Sequence, residues 1–232
     1  MKKFLILIST IIIGTNLAIA DNNIDYEGPY FGLDYSYSID GTQKSEERIN
    51  RTTTTAYFNE TDVGGAGSIG LSAGYNWALK NDIITGLEIN HQTFLNNEFN
   101  SIWKVGGSVD NNYPAEVKMK HRTDYKVKYG FISSANNSLL YVTTGISNLK
   151  YNYHNTSDNL STRYKKPVKL DGYLLGVGGE YPYKNNISIK GEFLKAKYDP
   201  SFISSSPPNN AGNGFSNYGE DSTLKLGFVY HY

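Results

Sequence analysis

Nine charged residues fall at alternate positions of segments whose intervening positions are mostly large and apolar. Asp34, Glu88, Asp124, Glu180 and Glu192 are the acids, and Lys126, Lys128, Lys190 and Lys225 are the bases. Carboxylates and ammonium groups gathered on one face can do two things. They can neutralise one another in a salt-bridged core, or they can line a narrow ion path gated by those pairs. An unpaired charge in a narrow interior costs several kcal/mol, so pairing is the expected arrangement. Glu192 is expected to hold a lysine such as Lys126, Lys128 or Lys190.

Catalysis would need a different set. The four histidines are His91, His121, His154 and His231. His91 and His121 flank one long polar segment, but no compact nucleophile–base motif accompanies them. His and carboxylates at metal-ligand spacing are absent, and no cofactor is implied. The histidines read as surface or interface residues. The run Thr52 to Thr55 suits a polar connection and has no catalytic logic.

The elements that must position these charges alternate with period 2, which is the strand period. Eight segments recur, over residues 30–39, 68–79, 83–94, 121–132, 139–153, 169–183, 187–198 and 224–232. In the last, Leu226, Phe228, Tyr230 and Tyr232 share one face with Leu224, while Lys225, Gly227 and His231 share the other. In the fifth, Leu140, Val142 and Ile146 keep one parity and Leu149, Tyr151 and Tyr153 take the other. A bulge near Ser147 or Asn148 would return all six to one face. Each segment is long enough to cross a bilayer as a tilted strand, which takes about 9 to 11 residues.

The connections alternate in length. Residues 80–82, 134–137 and 184–186 are short and carry Asn, which tolerates the left-handed backbone of tight hairpins. Residues 40–67, 95–120, 155–168 and 200–221 are long, polar and rich in Ser, Thr, Asn, Gly and Pro. Short turns at one end and long loops at the other mark a transmembrane barrel. A soluble eight-stranded barrel would bury its apolar face inward and has no reason for such asymmetry.

The beginning of the chain fits export. Lys2 and Lys3 precede an apolar run broken by Ser9, Thr10, Gly14, Thr15 and Asn16, and Ala18-Ile19-Ala20 is a small-x-small cleavage site at Ala18 and Ala20. Residues 1–20 therefore read as a cleaved signal, and 21–232 as one barrel domain. Beyond residue 20 no stretch of 18 apolar residues occurs, which excludes a helical membrane protein. Mean hydropathy is negative, as it also is for a barrel that alternates lipid-facing and lumen-facing residues. Twenty tyrosines and ten phenylalanines suit strands and interfacial girdles. Tyr30, Tyr75, Trp77, Tyr129, Tyr181, Tyr183, Tyr230 and Tyr232 would form the girdle at the short-turn end. Tyr37, Phe94, Tyr151 and Tyr198 would form the other. There is no cysteine, so no disulfide supports the fold. Net charge is zero, and removing residues 1–20 takes two lysines and no acid, leaving about −2. That is no basis for nucleic-acid binding.

The chain resembles the small eight-stranded outer-membrane barrels, the OmpA/OmpX-type and opacity-protein group. The resemblance is carried by Gly28-Pro29-Tyr30-Phe31-Gly32-Leu33, by residues 172–181, by Gly191-Glu192-Phe193 and by the closing residues 226–232. It implies an all-β, antiparallel up-and-down transmembrane barrel in the outer membrane of a Gram-negative bacterium. It also implies that Leu226, Phe228, Tyr230 and Tyr232 form a C-terminal signal for the barrel assembly machinery. The expected neighbours are outer-membrane lipid and lipopolysaccharide, with a host or surface receptor at the loops, and the protein would be a monomer. The leading functional expectation is a plugged, non-catalytic barrel that supports the envelope and presents loops for adhesion. A narrow pore is the alternative, and a lipid A-modifying enzyme the third. Phe99, Trp103 and Tyr113 in the second long loop could also form a sugar platform.

Overall fold

In the computed structural model, residues 24–49, 52–80, 82–105, 108–109, 115–155, 164–204 and 214–232 are described; Ala18 and Ala20 lie outside them. The strands are β1 (Gly28–Ile49), β2 (Thr52–Asp62), β3 (Gly67–Lys80), β4 (Ile83–Phe94), β5 (Glu98–Val105) and β6 (Ser108–Val109). They continue with β7 (Ala115–Ser133), β8 (Ser138–Asn155), β9 (Tyr164–Lys184), β10 (Ile187–Ser204) and β11 (Gly214–His231).

Eight of them, β1, β3, β4, β7, β8, β9, β10 and β11, form an antiparallel up-and-down ring, closed by pairing of β11 with β1. Closure removes every free sheet edge from the membrane section, as a hydrocarbon environment demands. Asp82 and Asn137 take positive φ, of 69° and 51°, in two of the short turns. The outer face is a belt of exposed apolar residues, among them Leu33, Leu71, Leu87, Val127, Val142, Val177 and Phe228. Trp77, Tyr129, Tyr183, Tyr230 and Tyr232 are exposed toward the short-turn end.

The first two long connections are not plain loops. β1 runs on to Ile49 and pairs there with β2 instead of β3. β2 pairs with β5, and β5 pairs with the start of β7. The ring wall therefore continues beyond the membrane with β2 and β5 in the places that β3 and β4 hold below. The described pairing of β9 with β10 ends at Gly172 opposite Tyr198, leaving one parted seam. Residues 40–67 and 95–120 had the polar composition of loops because this upper wall faces water on its outside.

The interior changes character with height. Arg122, Asp124, Lys126 and Lys128 of β7 line the membrane section, and Ala115, Val117 and Met119 line the part above. On β9 the interior passes from Glu180 to Leu174, Leu170 and Val168, and on β10 from Lys190 and Glu192 to Leu194, Ala196 and Tyr198. These apolar residues join Val63, Leu149, Tyr151 and Tyr153 in one packed cluster that also takes Phe94, Phe99 and Phe215. The facing wall supplies buried Gln43, Ser45, Asn59, Thr61 and Asn217. Asn59 Nδ2 donates to the Tyr153 hydroxyl across the interior at 2.6 Å.

No bulge occurs at Ser147 or Asn148. β8 and β9 pair without a register shift from Leu139 to Asn155, so Leu149, Tyr151 and Tyr153 point inward. The shifts lie instead in β1 between Ser38 and Asp40, in β7 between Met119 and His121, and in β10 between Tyr198 and Ser201. Tyr30, Tyr151 and Tyr198 are likewise interior residues and not girdle ones, each at most 2 % exposed. Phe94 is half-buried against the upper cluster.

Candidate functional site

The charged interior is built by register. Glu88 on β4 stands opposite Lys126 on β7, Glu180 on β9 opposite Lys190 on β10, and Glu192 on β10 opposite Lys225 on β11. Period-2 alternation turns all six inward, where no residue is more than 3 % exposed. Glycines make the room. A Cβ on Gly178 would stand 2.6–2.8 Å from the Tyr141 ring, so the ring lies where only glycine leaves space.

Two ionic layers result. In the one nearer the short turns, Glu88 meets Lys126 at 2.6 Å, Lys190 at 3.2 Å and Lys128 at 3.4 Å. The Tyr30 hydroxyl donates to Glu88 at 2.9 Å. Lys126 bridges to Glu192 at 2.7 Å, and the Tyr141 hydroxyl also donates to Glu192, at 3.3 Å. Lys128 reaches Glu180 at 3.5 Å and lies 4.2 Å over the Tyr30 ring. Glu180 is held further by the Ser188 hydroxyl at 2.9 Å and by His231 Nε2 at 3.0 Å.

In the second layer, Arg122 Nε donates to Asp124 at 2.7 Å and Nη1 to Asp221 at 2.8 Å. Lys225 donates to Asn90 at 2.7 Å and meets Asp124 at 3.3 Å. Ser147 donates to Asp124 and Tyr198 to Asp221. Asp34 has no ion pair among the described residues. It accepts from Asn90 Nδ2 at 2.7 Å and from the Ser36 hydroxyl at 3.1 Å.

Both ends of this ionic section are filled. At the short-turn end Ile24 and Tyr26 pack with Ile84, Leu139 and Tyr141. Tyr26 donates to the backbone carbonyls of Asn137 at 3.0 Å and Glu180 at 3.2 Å, and Asn76 donates back to the Tyr26 carbonyl. At the other end stands the apolar cluster. Between it and the second layer is a cavity of about 10 Å³, lined by Gln92, Met119, Arg122 and Asp221 among others. That is room for a single water.

An apolar belt outside, a salt-bridged interior and a ring without an edge together define a membrane barrel. The fold is that of the small outer-membrane β-barrels. The chain is similar to the solved OprG outer-membrane protein of Pseudomonas aeruginosa, with a TM-score of 0.55 and 12% identity over 90% of this chain and 99% of that one. In sequence it is similar to the 31 kDa outer-membrane immunogenic proteins of Brucella melitensis and Brucella suis. Each is 24% identical over 176 residues, covering 75% of this chain and 71% of the relative. No protein-family model matches. The protein is an integral outer-membrane barrel, with Leu226, Phe228, Tyr230 and Tyr232 on its lipid face.

Sequence reasoning missed several interior residues. Arg122 and Asp221 share parity with Asp124 and Lys225 and were legible on that ground. Tyr30 and Tyr198 looked like lipid-facing aromatics, because nothing in residue type separates a phenol that donates to a carboxylate from one at an interface. His231 is not a surface histidine; it is 2 % exposed, inside the barrel between Glu180, Ser188 and the Tyr26 ring. His91 and His121 do lie outside, with ring centroids 5.4 Å apart, and His91 bonds Thr123 at 2.8 Å. His154 is half-buried near Glu116 at 3.9 Å. Among the described residues no group of three His, Asp or Glu is placed to hold a metal. Phe99 belongs to the upper apolar cluster, while Tyr113 and the Trp103 side chain lie outside the described residues.

Proposed function

We propose that the protein is a closed, non-catalytic membrane anchor. It carries a rigid β-wall and its loops above the outer membrane for adhesion or contact with other surfaces. The observation that supports this is the order of the interior along its length: the Ile24–Tyr26 segment, two ionic layers, then a packed apolar cluster. An ion crossing it would have to break Glu88 from its lysines and then enter an apolar section, where a charge is not solvated. Of the exposed histidines, His91 has the Thr123 hydroxyl at 2.8 Å, and among the described residues no carboxylate is bonded to that ring to orient it as a base. The upper wall, with Lys118 on Glu98 and Tyr218 donating to Glu46 at 2.5 Å, suits a display element held in one shape. Burial and the neighbouring Glu46 push the Tyr218 phenol up, so this bond holds well past neutral pH.

Planar-bilayer recording on purified, folded protein tests the reading. It should show no conductance steps at neutral pH. Regular steps abolished by enlarging an interior residue, for example Gly178→Leu, would establish a pore instead.

A further inference from the structure

The outer wall of β7, β8 and β9 carries three successive cross-strand rows. Tyr125, Ile146 and Tyr173 stand side by side at the top of the apolar belt, each more than 45 % exposed. Thr123, Asn148 and Asp171 form the next row, and His121, Lys150 and Lys169 the one above it. Like charges directly opposite one another on neighbouring strands are destabilising unless something neutralises them. Lys169 has Asp171 at 3.4 Å, and Asp171 also accepts from Asn148. Lys150 has no ion pair among the described residues. Some exterior lysines do have one, as Lys118 has with Glu98 and Lys195 with Glu220 at 3.9 Å, while Lys197, like Lys150, has none among the described residues.

Height fits a lipid headgroup. The row of His121, Lys150 and Lys169 is four residues above the apolar row, about 14 Å along a strand and roughly 10 Å along the normal of a tilted one. That is the zone where headgroup phosphates lie above hydrocarbon. A second feature adjoins it. His91, whose ring lies beside that of His121 at an interplanar angle of 41°, stands at one end of a lipid-facing groove of about 570 Å³. The groove runs beneath it past Ile89, Leu71 and Leu33 to Phe228, and it is hollow because Ala73 occupies an outward position among large residues.

We infer that this wall binds a phosphorylated glycolipid of the outer leaflet: His121, Lys150 and Lys169 hold the phosphate, and one acyl chain lies in the groove below His91. The inference rests on the outer-membrane placement of the barrel, and a failure of that placement would appear separately, as loss of the folded, heat-modifiable form. The test is native mass spectrometry of folded protein in detergent, titrated with diphosphoryl lipid A and with its dephosphorylated form. Wild type should retain one diphosphoryl lipid A. The Lys150→Gln/Lys169→Gln double variant should retain it about tenfold more weakly. Ala73→Phe, which fills the groove and leaves the cations, should also weaken retention. Millimolar inorganic phosphate should fail to displace the lipid. Equal binding of both lipid forms, or no effect of the double variant, overturns the headgroup site. No effect of Ala73→Phe overturns the chain seat, and full displacement by inorganic phosphate makes this a free-anion site.

Discussion

The lower and upper halves of this barrel use one alternation in opposite senses. In the membrane section of β8, Val142 and Ile146 face out while Tyr141, Thr143 and Ser147 face in. A few residues later Leu149, Tyr151 and Tyr153 face in, and Asn148, Lys150 and Asn152 face out. The backbone does not shift between them; only the medium outside does. Where the surroundings are lipid, polar groups pair inside, and where the surroundings are water, apolar groups pack inside. The difference teaches that period alone assigns two faces and does not say which is the core.

Changes that set the two halves against each other should rank as follows. Glu88→Ala acts on the ionic half and leaves Lys126, Lys128 and Lys190 without a shared acceptor. It should cost about 3 to 5 kcal/mol, read as a lowered urea midpoint in lipid vesicles. Leu170→Ala acts on the apolar half, where Leu170 is fully buried. It should cost about 2 to 5 kcal/mol of local packing. Its signature differs: the upper wall should become susceptible to protease while the membrane section keeps its heat-modifiable migration.

Val142→Arg and Asn152→Arg, on the outside of the same strand, separate the two media. The first puts a charge into hydrocarbon and should cost about 2 to 4 kcal/mol. The second puts it into water and should change stability by less than about 0.5 kcal/mol. Equal costs would erase the boundary between the halves. Removing residues 205–213 should matter least, because shortening a polar connection changes closure entropy by under about 1 kcal/mol.

The membrane half was the legible half. Eight segments, the short-long alternation and the inward charges all follow from parity, and Glu88 beside Lys126 is a register neighbour. The upper half was misread because its apolar residues lie inside a wall that water surrounds. Leu149, Tyr151 and Tyr153 therefore looked like displaced members of the lipid face. Polar outer residues in β2 and β5 gave those strands the composition of loops. Lumen pairing was legible only as a list of charges. Lys126 binds Glu192 across the interior although Lys225 is the register partner of Glu192 on the next strand, a choice set by barrel curvature.

The inversion itself is most directly tested by scanning β8. With no native cysteine, single cysteines from residue 140 to residue 153 can each carry a spin label in vesicles. Labels at Leu140, Val142 and Ile146 should be open to oxygen in the lipid. Labels at Asn148, Lys150 and Asn152 should be open to a water-soluble nickel chelate, and labels at Leu149, Tyr151 and Tyr153 to neither. Oxygen access at Leu149 and Tyr151 equal to that at Val142 would place them on the lipid face and contradict the account.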